Sequence, residues 1–71
     1  MSLMRHRGEV LTAEEAAEIR ALSERLGERE ACARLAVHRA TLARAIGQLH
    51  VQRAMVTHLR TRLAALRTEA A

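Results

Sequence analysis

Ala31-Cys32-Ala33-Arg34-Leu35-Ala36-Val37-His38-Arg39-Ala40-Thr41-Leu42-Ala43-Arg44-Ala45-Ile46 is the stretch that decides how this chain reads. It spells the close of one short helix, a tight turn and the body of a second helix. At 100° per residue, Leu42, Ala45, Ile46 and Leu49 share one arc of that second helix, an apolar side for a core. The opposite arc runs Arg39, Ala43, Gly47, Ala40, Arg44, small at its centre with an arginine at each edge. The stretch also opens a segment without acid. Residues 31–68 hold seven arginines and no aspartate or glutamate, whereas residues 1–30 hold five arginines and seven glutamates.

The helix before the turn spans about residues 28–35, with Glu28 and Glu30 at its positive end. The helix after it spans about 39–49. Upstream, Thr12-Ala13-Glu14-Glu15 is a capping box, in which the threonine oxygen accepts from the third helical N–H and the glutamate reaches back. In the helix that follows, Ala16, Ile19, Leu22, Ser23 and Leu26 share one face, and Gly27 ends it as a left-handed cap. Glu14, Glu18, Arg20, Glu24 and Arg25 point away as a solvated, mixed-charge surface. Downstream, residues 52–68 form a fourth helix with Met55, Val56, Leu59, Leu63 and Leu66 on one stripe, suited to a monomer core, a dimer contact or both. The expected fold is all-α: a tri-helical core plus a C-terminal helix, without a strand. Residues 1–10 lack apolar periodicity and read as a flexible arm carrying the basic cluster Arg5, His6 and Arg7. Residues 11–68 form the one domain.

A chain of 71 residues holds one small domain. Such a domain buries a modest share of its surface and gains stability from a partner. One cysteine excludes an internal disulfide and a cysteine-built metal site, and it fits a reducing cytoplasm. The histidines at 6, 38, 50 and 58 lack ligand spacing, so neither metal nor cofactor is expected. No apolar run approaches a membrane span, and no apolar stretch follows the basic start as in a secretory signal. Asp, Lys, Tyr and Trp are absent, as is a glycine-rich phosphate loop. No acid stands paired with a base, so neither catalysis nor a small-molecule substrate is expected. The lack of any aromatic ring argues against recognition of single strands or base-stacking recognition of RNA.

The net charge of +4 and its uneven distribution point to a polyanion partner. All twelve basic residues are arginine, whose planar fork matches phosphate and guanine. The small-centred, arginine-edged arc at 39–47 suits a helix lying in the major groove of double-stranded DNA. There an alanine can touch a thymine methyl, and arginines reach guanine edges or phosphates.

The run Leu35-Ala36-Val37-His38-Arg39-Ala40-Thr41-Leu42 resembles the helix-turn-helix DNA-binding family, in particular the small phage-repressor and Cro-like domains. It looks like that family's leucine-glycine-valine-serine-arginine-alanine-threonine-leucine. Cys32 stands for the small residue in the middle of the first motif helix. Leu35 and Val37 flank the turn, and Leu42 with Ala45 or Ile46 supplies the inner face. The resemblance covers about residues 12–66, and its specific part is 28–47. It implies that Arg39, Ala40, Ala43 and Arg44 sit where base-contacting residues lie, with Thr41 near a phosphate. It also implies a homodimer on a near-palindromic site, half-sites about one turn apart, acting as a transcriptional repressor or regulator by operator occupancy in the cytoplasm, on the nucleoid. Three departures stand out. Ala36 replaces the turn glycine, and a left-handed alanine costs roughly 1–2 kcal/mol. His38 replaces the serine N-cap, a weaker cap. Glu28 occupies a position that often touches DNA, where its charge is wrong for phosphate; either Arg29 substitutes or the contact is lost.

Arg53, Arg60 and Arg67 follow one edge of the fourth helix at seven-residue spacing. They read either as a phosphate-facing ridge or as long side chains covering the rim of the apolar stripe. Arg53, near the helix start, is the best placed of the three for DNA. Cys32 reads as a small core residue, and His50 and His58 as surface or loop residues. The rival class is a small helical protein-interaction or dimerisation module using the fourth helix, which leaves the acid-free segment unexplained. A basic amphipathic helix on an anionic membrane is weaker still, for want of aromatic anchors.

Overall fold

A computed structural model describes residues 9–70; Arg5, His6 and Arg7 of the expected arm lie outside the described residues. Four α-helices follow in order: α1 (Ala13–Leu26), α2 (Glu28–Leu35), α3 (Arg39–Ile46) and α4 (Arg53–Ala70). The fold is therefore the expected all-α, four-helix domain. Among the described residues the only extended pairing is one antiparallel bridge between Glu9 and Val51. The Glu9 N–H donates to the Val51 carbonyl at 2.8 Å, and the Val51 N–H donates back at 2.9 Å. Glu9, read as part of the arm, is thus tied to the segment leading into α4. Leu11 and Val51 on either side of this tie are buried.

The capping box forms as the residue types require. Thr12 is extended, its oxygen accepts from the Glu15 N–H at 3.0 Å, and Glu15 Oε1 accepts from the Thr12 N–H at 2.9 Å. Gly27 departs from the left-handed cap expected of it. Its φ of 91° is positive, but its ψ of 153° is extended, a region open essentially to glycine alone. The cause is double duty. Its N–H closes α1 on the Ser23 carbonyl, while its carbonyl already accepts from Ala31 N–H to open α2, and an N-cap needs an extended ψ.

Ala36 takes the left-handed conformation, with φ 57° and ψ 50°. Its N–H reaches the Ala33 carbonyl at 3.2 Å, and the Val37 N–H reaches the Cys32 carbonyl at 3.0 Å. That pair of bonds is a Schellman closure. The same closure recurs after α3, where the Gln48 N–H donates to Ala45 and the Leu49 N–H donates to Arg44. It stops α3 at Ile46, three residues before the expected end. Gly47 precedes the left-handed position instead of filling it; that position falls to Gln48, with φ 54°. Leu49, expected on the apolar arc, is consequently turned out and 52% exposed.

The core is one cluster. Ala16, Ile19 and Leu22 of α1, Ala31 and Leu35 of α2, Leu42 and Ala45 of α3, and Val56, Leu59 and Leu63 of α4 are buried. Each fully buried leucine or isoleucine among them contributes roughly 1.5–3 kcal/mol. Met55 and Leu66 pack on the rim of the cluster, as do Cys32 and Val37. The α4 stripe therefore completes the core of a single chain.

Polar side chains of α4 latch the other helices. His58, expected on the surface, is half-buried and its Nε2 lies 2.8 Å from the Leu35 carbonyl. A carbonyl only accepts, so Nε2 carries the proton. Arg62 donates from Nε and Nη2 to the neighbouring Arg34 carbonyl at 3.1 and 2.7 Å. Both groups occupy the C-terminal end of α2, where donors satisfy orphan carbonyls.

Candidate nucleic-acid interface

Leu42 and Ala45 anchor α3 from behind, and Ile46 is half-buried beside them. That anchoring turns Arg39, Ala40, Ala43, Arg44 and Gly47 outward, and all five are exposed. Gly47 carries no side chain, so the middle of the face stays low; an added Cβ would stand 3.3 Å from the Ala43 carbonyl oxygen. Thr41 is half-buried at the edge of this arc. His38 is the N-cap of α3, extended at φ −82° and ψ 160°, and exposed; its side chain makes no capping bond.

The two arginines of the face are held differently. Arg44 Nε donates to the His50 carbonyl at 2.9 Å, a bond between α3 and the segment that follows it. Arg39 Nε stands 3.4 Å from Glu28 Oε1 at the start of α2, with its side chain 78% exposed. Arg44 is thus steadied by backbone and Arg39 by an acid. Arg29 lies exposed in the first turn of α2, next in sequence to Glu28. Arg53 heads α4 and stands 3.3 Å from Glu9 Oε2.

Arg53 shares this pairing with the other two arginines of its edge. Arg60 grips Glu15 through Nε at 2.7 Å and Nη2 at 3.1 Å. Arg67 grips Glu18 through Nε at 2.7 Å and Nη2 at 2.6 Å. The hydrogen bond from Arg60 brings the Glu15 carboxyl down to about 2, and that from Arg67 lowers Glu18. Both arginines are pushed above their ordinary range by the same bonds. Glu18, read as solvated surface, therefore belongs to a row of ion pairs joining α1 to α4.

These pairs change what the charge pattern means. The acid-rich and acid-free halves of the sequence are separate in the chain and interleaved in space. Arg34, Arg39, Arg53, Arg60 and Arg67 each stand beside a glutamate from residues 9–30. On α3 itself the outward arc carries two arginines and no acid.

Among the described residues no three His, Cys, Asp or Glu side chains gather where a metal could be held. Cys32 is a half-buried free thiol. With Ala33, Ala36, Val37, His38 and Met55 it lines an open cavity of about 360 Å³ beside the turn. Among the described residues no helix is long and apolar enough to cross a membrane.

Residue chemistry left several of these contacts unannounced. The bonds of Arg44 to the His50 carbonyl, Gln48 to the Leu11 carbonyl and His58 to the Leu35 carbonyl all end on backbone oxygens. A backbone acceptor has no residue type, so no motif marks it. Comparison with known proteins places no relative beside this chain: no family model, curated protein or solved structure matches it.

Proposed function

We propose that this chain binds double-stranded DNA by laying the exposed face of α3 in the major groove, as a helix-turn-helix regulator that occupies an operator. The observation that carries the reading is the face itself: Arg39, Ala40, Ala43 and Arg44 exposed together on a helix pinned from behind by Leu42 and Ala45. Alanines at the centre let the backbone approach base edges. Arg44, pre-set by its bond to the His50 carbonyl, is the residue assigned to a guanine edge. His38 at the N-cap of α3, Thr41 at the edge of the face, and Arg29 at the start of α2, are assigned to phosphate. Arg53 joins them on giving up Glu9. A three-residue turn between two helices of eight residues supports the same reading. Two copies on a near-palindromic site, with half-sites about one helical turn apart, follow from the way such motifs dock.

The rival reading, a protein-contact module, has one observation in its favour. Val10 and Leu49 are large apolar side chains left 40% and 52% exposed. Two side chains fall far short of the roughly 800 Å² per partner of a stable interface, and single exposed apolar residues are ordinary. DNA is the better-supported partner.

Fluorescence titration of labelled duplex at 50 and 200 mM salt tests the proposal. A chain that neutralises about four phosphates loses about a hundredfold in affinity across that range. Selection from a random duplex pool then returns a preferred site and its symmetry. Salt-insensitive binding, or none, overturns the reading and favours the protein-contact module.

A further inference from the structure

We infer that Glu28 is a specificity-determining residue of the α3 face: its carboxylate withholds Arg39 from phosphate and releases it to a base edge. The inference rests on the DNA-binding reading above. Glu28 opens α2 and Arg39 opens α3, and the fold sets these two side chains against each other although eleven positions separate them in sequence. The Arg39 Nε to Glu28 Oε1 distance is 3.4 Å, and the two side chains are 78% and 54% exposed. This is a contact on the outer surface, where the duplex would lie.

An acid in that place does two things. It repels any phosphate approaching the first turn of α3, and it competes with phosphate for the Arg39 fork. An exposed pair of this kind is weak, so a good acceptor displaces it. A guanine edge presents two acceptors in the plane of the fork and does so. A single phosphate met in passing must displace the carboxylate and also lie beside it. Glu28 therefore weakens binding to arbitrary sequence more than binding to the preferred site. Specificity is the difference between those two affinities.

Glu30 supplies a matched control. It lies on the same helix and carries the same charge, but it pairs with Arg34 at 2.9 Å. Arg34 shares a surface hollow with Leu22, Leu66 and Glu69, among α1 and α4 residues and not on the α3 face. Glu28→Gln and Glu30→Gln thus change net charge equally, and only the first frees Arg39.

The experiment measures affinity of the full chain for a random-sequence duplex and for the duplex chosen by selection, across a salt series, in wild type, Glu28→Gln, Glu30→Gln, Arg39→Ala and the Glu28→Gln/Arg39→Ala double variant. Glu28→Gln is expected to bind the random duplex about two- to fivefold more tightly. Its salt slope should steepen by about 0.9, the signature of one further phosphate contact. The gain on the selected duplex should be smaller, and no gain should remain once Arg39 is gone. An unchanged affinity for the random duplex overturns the inference. So does an equal gain from Glu30→Gln, an equal gain on both duplexes, or a gain that survives Arg39→Ala. In each of those cases wild-type binding leaves the DNA reading standing. Failure of wild type and Glu28→Gln alike to bind either duplex removes both.

Discussion

Ala36→Gly should stabilise this protein. Ala36 is an exposed residue held at φ 57° and ψ 50°, where its Cβ crowds the following carbonyl at a cost of roughly 1–2 kcal/mol. Glycine removes that crowding and keeps both bonds of the Schellman closure, because both are made by backbone. Against this stands the larger freedom of glycine in the unfolded chain, about 0.4–1 kcal/mol. Taken at their midpoints, these leave a gain of about 0.8 kcal/mol. For a domain of this size about 1 kcal/mol shifts Tm by 4–8 °C, so thermal unfolding followed by circular dichroism should show a rise of about 3–6 °C. Gln48→Gly is the informative companion. Gln48 is also left-handed, at φ 54°, but its Nε2 donates to the Leu11 carbonyl at 3.0 Å. Losing that bond costs about 0.5–1.5 kcal/mol, which cancels the relief of strain and leaves Tm nearly unchanged. A clear fall in Tm for Ala36→Gly would refute the reasoning, because the turn would then owe its geometry to something other than a strained alanine.

Leu35→Ala empties a fully buried site between the helices and should cost about 2–5 kcal/mol. A chain of this length has about 4–11 kcal/mol in all, so urea denaturation should show a large drop in midpoint. The depressed Glu15 carboxyl sets an acid limb. Its folded pKa of about 2 lies below its ordinary 4.5, so its contribution is full above about pH 4.5 and is lost as pH falls toward 2. Glu15→Gln should lower Tm at neutral pH and flatten the decline between pH 4.5 and 2; an unaltered decline would show that the Arg60 bond contributes nothing. Arg44→Ala should weaken binding to the selected duplex and relax base preference at one position; equal affinity of wild type and variant would remove Arg44 from the readout. Arg53→Ala should weaken binding to every duplex and flatten the salt dependence; an unchanged salt slope would leave Arg53 to its pairing with Glu9 alone.

Local interactions were legible in the residues. Thr12 and Glu15 make their capping box wherever the helix sits, because donor and acceptor lie three residues apart. The boundaries of α2 and the buried faces of α1 and α4 likewise follow from short-range spacing and apolar period, and the left-handed Ala36 stands where the helix-turn-helix resemblance implies a turn glycine. The end of α3 was not legible: Gly47 reads as part of the outward arc of a helix running to residue 49, whereas the left-handed position that closes the helix falls to Gln48. That shift exposes Leu49 and explains why the apolar arc reads one turn too long.

From its sequence alone, this chain was bound to be an all-α domain with an α3 whose small, arginine-edged side is opposite its apolar side; helix period and side-chain size suffice for that. Which arginines stand clear of acid was decided only by tertiary structure. Glu9, Glu15, Glu18 and Glu28 meet Arg53, Arg60, Arg67 and Arg39 across folds of the chain. Charge along a sequence adds up residue by residue, whereas the field at a surface depends on distances that only packing sets.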